Sequence, residues 1–433
     1  MRAILIVLIV ALVAKDTSQL NDPYIMRGIA QGLCMGAGGI WLLSHISSTL
    51  LKKYWPVFAY LAALLVGAIW TAASQYVFLQ LASLAAVVWF FVAYFEHHAM
   101  DAQHAAGTLI DTTVMVYFTV AVLSLMVIIT HPAIAYGAMG NGYAGMEFRF
   151  RGLFPKAGML ASAAGVTIGL AWFSGYRMPI KLIVLAVCGM CLALTLSRTF
   201  WVALALGGFM TYWVYHKQGR RWIAVALLVG VSAGFAMKSL NVSLDFSNAK
   251  FLRVETISNL TGRVSLWEQG LQAFYRSPYV GYGYTVGATG LQFSENKKGQ
   301  SGENIDATRD IGRMTLHSGY LQSLLDAGAI GTLFYLAIIA VALRNMMKQA
   351  DTPRNRAVFF GLTFLAISNI SQNVIYSASV YDSVLFFGLA IFAMSIGKTE
   401  SQPEMAPLAE NVNVRSPSVG YLGVRYKEEL GKK

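Results

Sequence analysis

The sequence predicts an all-α polytopic membrane protein, on three observations. Apolar residues make up 56% of the 433 and charged residues only 12%, more apolar surface than a water-soluble core of this size requires. Apolar runs of roughly 17–25 residues, the length that crosses a bilayer, recur along the chain. The one long polar interruption, between about residue 239 and residue 316, falls between such runs, as a loop outside the hydrocarbon must.

Twelve spans follow, near residues 2–14, 28–47, 55–74, 77–95, 109–130, 157–174, 179–196, 199–215, 222–238, 320–343, 357–376 and 380–397. The first is short enough to resemble a secretory leader. Arg2 gives it only a minimal basic start, no small-x-small site precedes Lys15 and more spans follow, so it reads as an anchor. Basic residues in the short loops orient the chain. With the N-terminus inside, the cytoplasmic loops hold Lys52 and Lys53, Arg177 and Lys181, Lys217, Arg220 and Arg221, then Arg344, Lys348, Arg354 and Arg356. Both termini are then cytoplasmic and the 239–316 loop is periplasmic or extracellular.

That orientation leaves Arg149, Arg151, Lys156, Arg198, Arg263 and His317 on the trans side, where cations are disfavoured in short loops. An anionic ligand there is the economical reason. The net charge of +12 could suit nucleic acid. In a membrane chain, basic excess belongs to cytoplasmic loops facing anionic lipid, so membrane lipid is the partner and nucleic acid is not. Cys34, Cys188 and Cys191 all lie in apolar spans and offer neither a disulfide framework nor metal spacing.

The loop carries local order. Ser265 and Glu268 match a capping box, and Val264, Trp267, Leu271 and Phe274 repeat at three- and four-residue spacing. This is a short amphipathic helix ending before Ser277-Pro278, able to lay Trp267, Phe274 and Tyr275 on the membrane surface. Arg263 sits at its N-terminal edge, where backbone N–H groups already favour an anion. Gly281-Tyr282-Gly283-Tyr284 reads as a tight turn. His317 opens a second helical stretch, which Gly328 and Gly331 interrupt before the span proper. Farther on, Asn369, Gln372, Asn373 and Tyr376 fall at i, i+3, i+4 and i+7, one polar helix face near the trans side. Such a face serves hydrogen bonds between helices or recognition of sugar hydroxyls.

Several of these segments together resemble one family. Leu196-Ser197-Arg198-Thr199-Phe200-Trp201 is similar to its S-R-T/G-x-W. Thr261-Gly262-Arg263 with Leu266-Trp267, followed by Ser277-Pro278 and Gly281-Tyr282-Gly283, is similar to its G-R-x-x-x-W and P-x-x-G-x-G. Leu316-His317-Ser318-Gly319-Tyr320-Leu321 with Gly328 and Gly331 is similar to its H-N-x-x-L and G-x-x-G. Arg149, Arg151, Gly152 and Phe154 follow its R-x-x-G-x-F, without the Asn that commonly follows; Ser318 likewise replaces the usual Asn after the histidine. The chain thus resembles the O-antigen ligase and polymerase superfamily, over roughly residues 145–345.

The resemblance implies a GT-C-like membrane glycosyltransferase of the bacterial inner membrane, its active site facing the periplasm. Residues 1–144 are then N-terminal helices, 145–397 the catalytic membrane domain and 398–433 a flexible cytoplasmic tail, polar and carrying Pro403, Pro407 and Pro417. The donor is a glycan on a polyprenyl diphosphate, and the acceptor a second glycan or lipid A-core. A chain-length regulator protein is a further partner. Arg198 and Arg263 stabilise the departing diphosphate, since guanidinium groups grip phosphate oxygens bidentately and keep their charge. His317 takes the acceptor proton. Arg149, Arg151, Trp267, Asn369, Gln372 and Asn373 are candidates for contacting diphosphate or glycan. No Asp-x-Asp or paired carboxylates lie in the trans loops, so neither metal nor other cofactor is expected.

Polymerisation of an exopolysaccharide or O-antigen repeat is favoured over ligation, because no ligase-specific acceptor feature is recognisable. The rival class is a transporter or flippase of lipid-linked sugars. Such proteins tend to show internal repeats and mid-membrane ionisable groups. This chain shows no repeat, and Asp111 is the clear acid near a mid-chain span.

Overall fold

Helix has formed at eleven of the twelve apolar stretches. The computed structural model describes residues 1–17, 23–71, 74–136, 149–216, 263–287, 316–373 and 380–397. The stretch near 222–238, with Lys217, Arg220 and Arg221, lies outside the described residues, as do most of the 239–316 loop, Tyr376 and the tail. The elements are α1 (Arg2–Thr17), α2 (Pro23–His45), α3 (Ser48–Lys53), α4 (Trp55–Trp70), α5 (Ser74–His97), α6 (Ala102–Thr130) and α7 (Pro132–Tyr136). They continue with α8 (Ala157–Phe173), α9 (Met178–Leu194), α10 (Arg198–Tyr215), α11 (Arg263–Phe274), α12 (Gly319–Met347), α13 (Pro353–Ser368) and α14 (Tyr381–Ile396). No strand occurs among the described residues. Three helical stretches, Ser74–His97, Ala99–Thr130 and Gly319–Met347, are long and apolar enough to cross a membrane; α4, α8, α9 and α14 are among the shorter apolar helices.

Starts and contacts follow from the residues. Proline in the first turn, where its missing N–H costs nothing, opens α4, α9 and α13. Along α8, Ala161, Gly165 and Gly169 leave room for α13, whose Phe360 and Phe364 rings occupy the space a Cβ at Gly165 or Gly169 would take. Small residues of this kind let apolar helices approach where water supplies no driving force. Buried polar pairs add specific bonds: Thr113 Oγ1 meets Tyr381 Oη at 2.5 Å, and Tyr117 donates to Asp382 at 2.9 Å. The three cysteines are free and buried.

The bundle has two chemically distinct ends. One gathers Lys53–Glu96 (2.6 Å), Arg2–Asp101 (3.6 Å) and Arg356–Asp351 (2.9 Å). Tyr54 donates to Glu96 at 2.6 Å; burial first, and then that carboxylate, hold its phenol protonated well above the usual range. Gln103–Asn355, Tyr215 to Met346 O and Asn345 to Ala393 O close the same end. Among the described residues, this end carries Lys52, Lys53, Arg344, Lys348, Arg354 and Arg356, which the sequence assigns to cytoplasmic loops. The other end carries every candidate site residue.

Candidate active site

The site end is organised around a break in α12. Gly328 has φ 65° and ψ −171°, a conformation open in practice only to glycine, and it interrupts the helix alone. Gly331, expected to share in the interruption, lies within helix and lets α12 approach Ala63 of α4. A break inside a helix frees carbonyls and N–H groups. The turn of residues 278–283 takes them up: Tyr282 N–H donates to Leu325 O at 2.8 Å, Gly283 N–H to Asp326 O at 3.0 Å, and Ala329 N–H to Pro278 O at 2.7 Å. Gly281 and Gly283 adopt positive φ (74° and 107°), as the glycine-tyrosine pattern suggested. Ser277 Oγ closes the turn onto Gly281 O at 2.9 Å.

Helix α11 packs on this assembly. Its first residue is Arg263, so Ser265 lies inside the first turn rather than capping it. That corrects the expected capping box; the helix starts earlier than the side-chain pattern suggested. The side chain of Arg263 lies outside the described residues. Ala273 of α11 is buried with Leu316 and Leu325, with Leu266, Phe274, Tyr282 and Leu321 packed against them. The Tyr282 phenol donates back to Ala273 O at 2.8 Å; burial raises its pKa, and nearby Arg276 lowers it. Of the aromatics expected at the surface, Tyr275 is 76% exposed. Trp267 is half-buried and gives its indole N–H to Leu316 O at 2.9 Å.

His317 follows directly, half-buried, in the left-handed region at φ 52°. Such a backbone persists only when its surroundings impose it, and here both neighbours are held. On one side Leu316 receives the Trp267 bond and gives its own N–H to Gln322 Oε1 at 3.4 Å. On the other, Ser318 caps α12 by accepting from Leu321 N–H, and Gly319 N–H bonds Asn369 O at 2.9 Å and Gln372 O at 3.3 Å. A Cβ on Gly319 would strike the Asn369 side chain.

Arg198 is the first residue of α10, half-buried, after Ser197 at the N-cap and Leu196 at φ 52°. Thr199 Oγ1 meets Ser371 Oγ at 2.8 Å. The turn of residues 369–372 therefore touches the neighbours of both Arg198 and His317 and draws the two motifs together. Arg149 reaches the same corner, giving Nε and Nη2 to Thr195 O at 3.0 and 2.9 Å and so capping the C-terminus of α9. Arg151 donates Nε to Ile134 O at 3.1 Å, at the end of α7. Both guanidinium groups thus carry a structural bond as well as a charge.

The expected polar helix face past residue 369 is not helical. Helix α13 ends at Ser368, and residues 369–373 form a turn in which Asn369 N–H bonds Leu365 O and Gln372 N–H bonds Ser368 O. Gly319 N–H takes up the Asn369 and Gln372 carbonyls from outside, so they are satisfied without a continued helix. Asn369 is fully buried and donates to the Tyr335 hydroxyl of α12 at 2.9 Å, so of the two uses weighed for it the bond between helices is present. Gln372 lies against Gly158 of α8. Asn373 is half-buried, and its Oδ1 has no hydrogen-bond partner among the described residues.

Sequence reasoning missed two residues here, Asp326 and Gln322. Asp326, 0% exposed, accepts from Thr285 N–H at 2.8 Å, Gly287 N–H at 2.5 Å and Gln322 Nε2 at 3.0 Å. A carboxylate inside an apolar run, one turn after a glutamine, was the available signal. Chemically, the corner offers an imidazole and a permanent cation beside a polar turn, at the end of the bundle where α11 begins with a further arginine. Residues 182–336 match the family model described as O-antigen ligase. The match takes in Arg198, Arg263, Trp267 and His317, and stops short of Asn369. No curated protein gives a significant match.

Proposed function

Taking residues 182–336 as belonging to the O-antigen ligase and polymerase superfamily, we propose that the chain is a membrane glycosyltransferase that uses a lipid-diphosphate-linked glycan as donor. The observation that carries this reading is the convergence of the Arg198 and His317 segments on the turn 369–372, with α11 held to Leu316 through Trp267. His317 takes the proton of an acceptor hydroxyl as its oxygen attacks the anomeric carbon. The bond from that carbon to the diphosphate breaks, and the diphosphate leaves with the electron pair. Arg198 and Arg263 stabilise the departing charge where it develops. In this reading the chain crosses the inner membrane twelve times, with this end of the bundle periplasmic, opposite Lys53, Arg354 and Arg356.

The acceptor in this reading is a second lipid-linked glycan, which makes the enzyme a polymerase. Ligation to lipid A-core is the second reading, favoured by the description of the matched family. Ser318 does not separate them, because serine caps a helix as well as the asparagine usual there. A deletion strain tests the choice. Loss of high-mass polymer, with single repeat units still transferred, marks a polymerase. Full-length polymer stranded on its lipid carrier above bare core marks a ligase and overturns the first reading.

A further inference from the structure

We propose that Asp326 is a positioning residue for His317, acting through the side-chain amide of Gln322. The proposal rests on His317 as the base and adds to it a means of holding that base in a strained backbone.

A carboxylate at 0% exposure is costly unless its oxygens are satisfied. Those of Asp326 accept from Thr285 N–H, Gly287 N–H and Gln322 Nε2. An ionised carboxylate only accepts, so it dictates which way the neighbouring amide turns. Gln322, 2% exposed and one turn earlier on α12, must present its NH2 to Asp326. Its carbonyl oxygen then necessarily points the other way, to Leu316 N–H at 3.4 Å. Leu316 is already held from its carbonyl side by Trp267. The residue before His317 is thus gripped at both backbone groups, and the polarity of one grip is set by a charge ten residues along the chain. An alternative role for Asp326 is only to anchor the turn ending at Gly287. Chemistry separates the two.

In Asp326→Asn the new amide offers one acceptor and one donor group, so Gln322 is no longer compelled to face Leu316 with its oxygen. Combining Gln322→Glu with Asp326→Asn restores that polarity. The introduced carboxylate accepts from both the introduced amide and Leu316 N–H, while the turn remains one acceptor short. The test uses full-length protein in nanodiscs with a lipid-linked glycan, measuring kcat and KM for the donor. Hydrogen exchange at residues 316–318 is followed alongside. D326N and Q322A should lower kcat about 10–100-fold with KM little changed, the size expected for a misplaced catalytic group, and should speed exchange at Leu316. The double exchange should recover most of kcat.

Unchanged kcat and exchange in Q322A overturn the proposal. So does a double exchange as slow as D326N while Q322A is unaffected, which leaves Asp326 as an anchor of the turn alone. If D326N does not fold, Q322A decides by itself, since it leaves the backbone partners of Asp326 in place. His317→Ala is measured in parallel. Full transfer in that variant removes the base assignment, whereas an inactive H317A beside a fully active Q322A removes only the positioning role.

Discussion

The two ends of this bundle are held by different means. At the end of Lys53, Glu96 and Asp351, ion pairs and side-chain hydrogen bonds, two of them to helix-end carbonyls, join regular helix termini. At the end of Arg198 and His317, the bonds hold irregular backbone as well as joining side chains. A guanidinium bonds a helix-end carbonyl, an indole bonds the carbonyl before a histidine, and a turn inserts its N–H groups into a broken helix. Among the described residues, the non-glycine positions at positive φ, Leu196, Thr285 and His317, all lie at this second end. Side-chain pairs tolerate drift, whereas backbone bonds to a strained segment specify position. The difference marks where precision is needed, and strain of this kind gathers at functional sites.

The comparison can be broken most directly at the arginines. Arg198→Ala and Arg263→Ala should each reduce transfer by roughly 10²–10³-fold or more, as loss of a charge-stabilising donor does, with membrane expression intact. Lysine should rescue poorly, lacking the bidentate fork. Full transfer in both alanine variants, in the same lipid-linked-glycan assay, would remove the diphosphate clamp. Next in size is Gly328→Ala. A Cβ there meets the backbone of Tyr279, so the variant should lose about 1–3 kcal/mol or more, read as a lowered thermal midpoint together with lost transfer. Gly189→Ala in α9, with open space around it, is the control and should be neutral or mildly stabilising. The smallest effect is expected at the opposite end. Lys53→Met removes the partly buried ion pair to Glu96, whose carboxylate keeps its bond from Tyr54, and should lower the thermal midpoint while leaving transfer unchanged. A loss of activity there would mean that the two ends are coupled, and the contrast would fail.

Apolar length made most of the helices legible, because a run such as residues 77–95 has no other way to satisfy its backbone in lipid. A break was legible where glycine marks it, as at Gly328, whereas the start at Pro353 lies four residues before the expected 357. The end at Ser368 was not legible: Asn369, Gln372 and Asn373 carry helical spacing, yet the carbonyls of Asn369 and Gln372 are taken up by Gly319, far away in the chain. Arg198 and His317 stood out because cations and an imidazole are conspicuous beside membrane. Asp326 and Gln322 did not, since a buried acceptor acts through partners distant in the chain, Thr285 and Gly287 among them. Nor could spacing show that Arg149 caps α9, which depends on Thr195 arriving beside it.

The break at Gly328 also acts as a ruler. Unbroken, the 29 residues of α12 would reach roughly 43 Å at 1.5 Å each, well beyond the hydrocarbon thickness of about 30 Å. The part from Ala329 to Met347 alone measures roughly 28 Å, close to that thickness, and Arg344 and Lys348 stand at its end. On the proposed topology, the height of His317 above the bilayer is set by the length of this one helical segment. On that topology a thicker or thinner membrane loads the joint between α12 and the 278–283 turn, so acyl-chain length becomes an input to the proposed reaction.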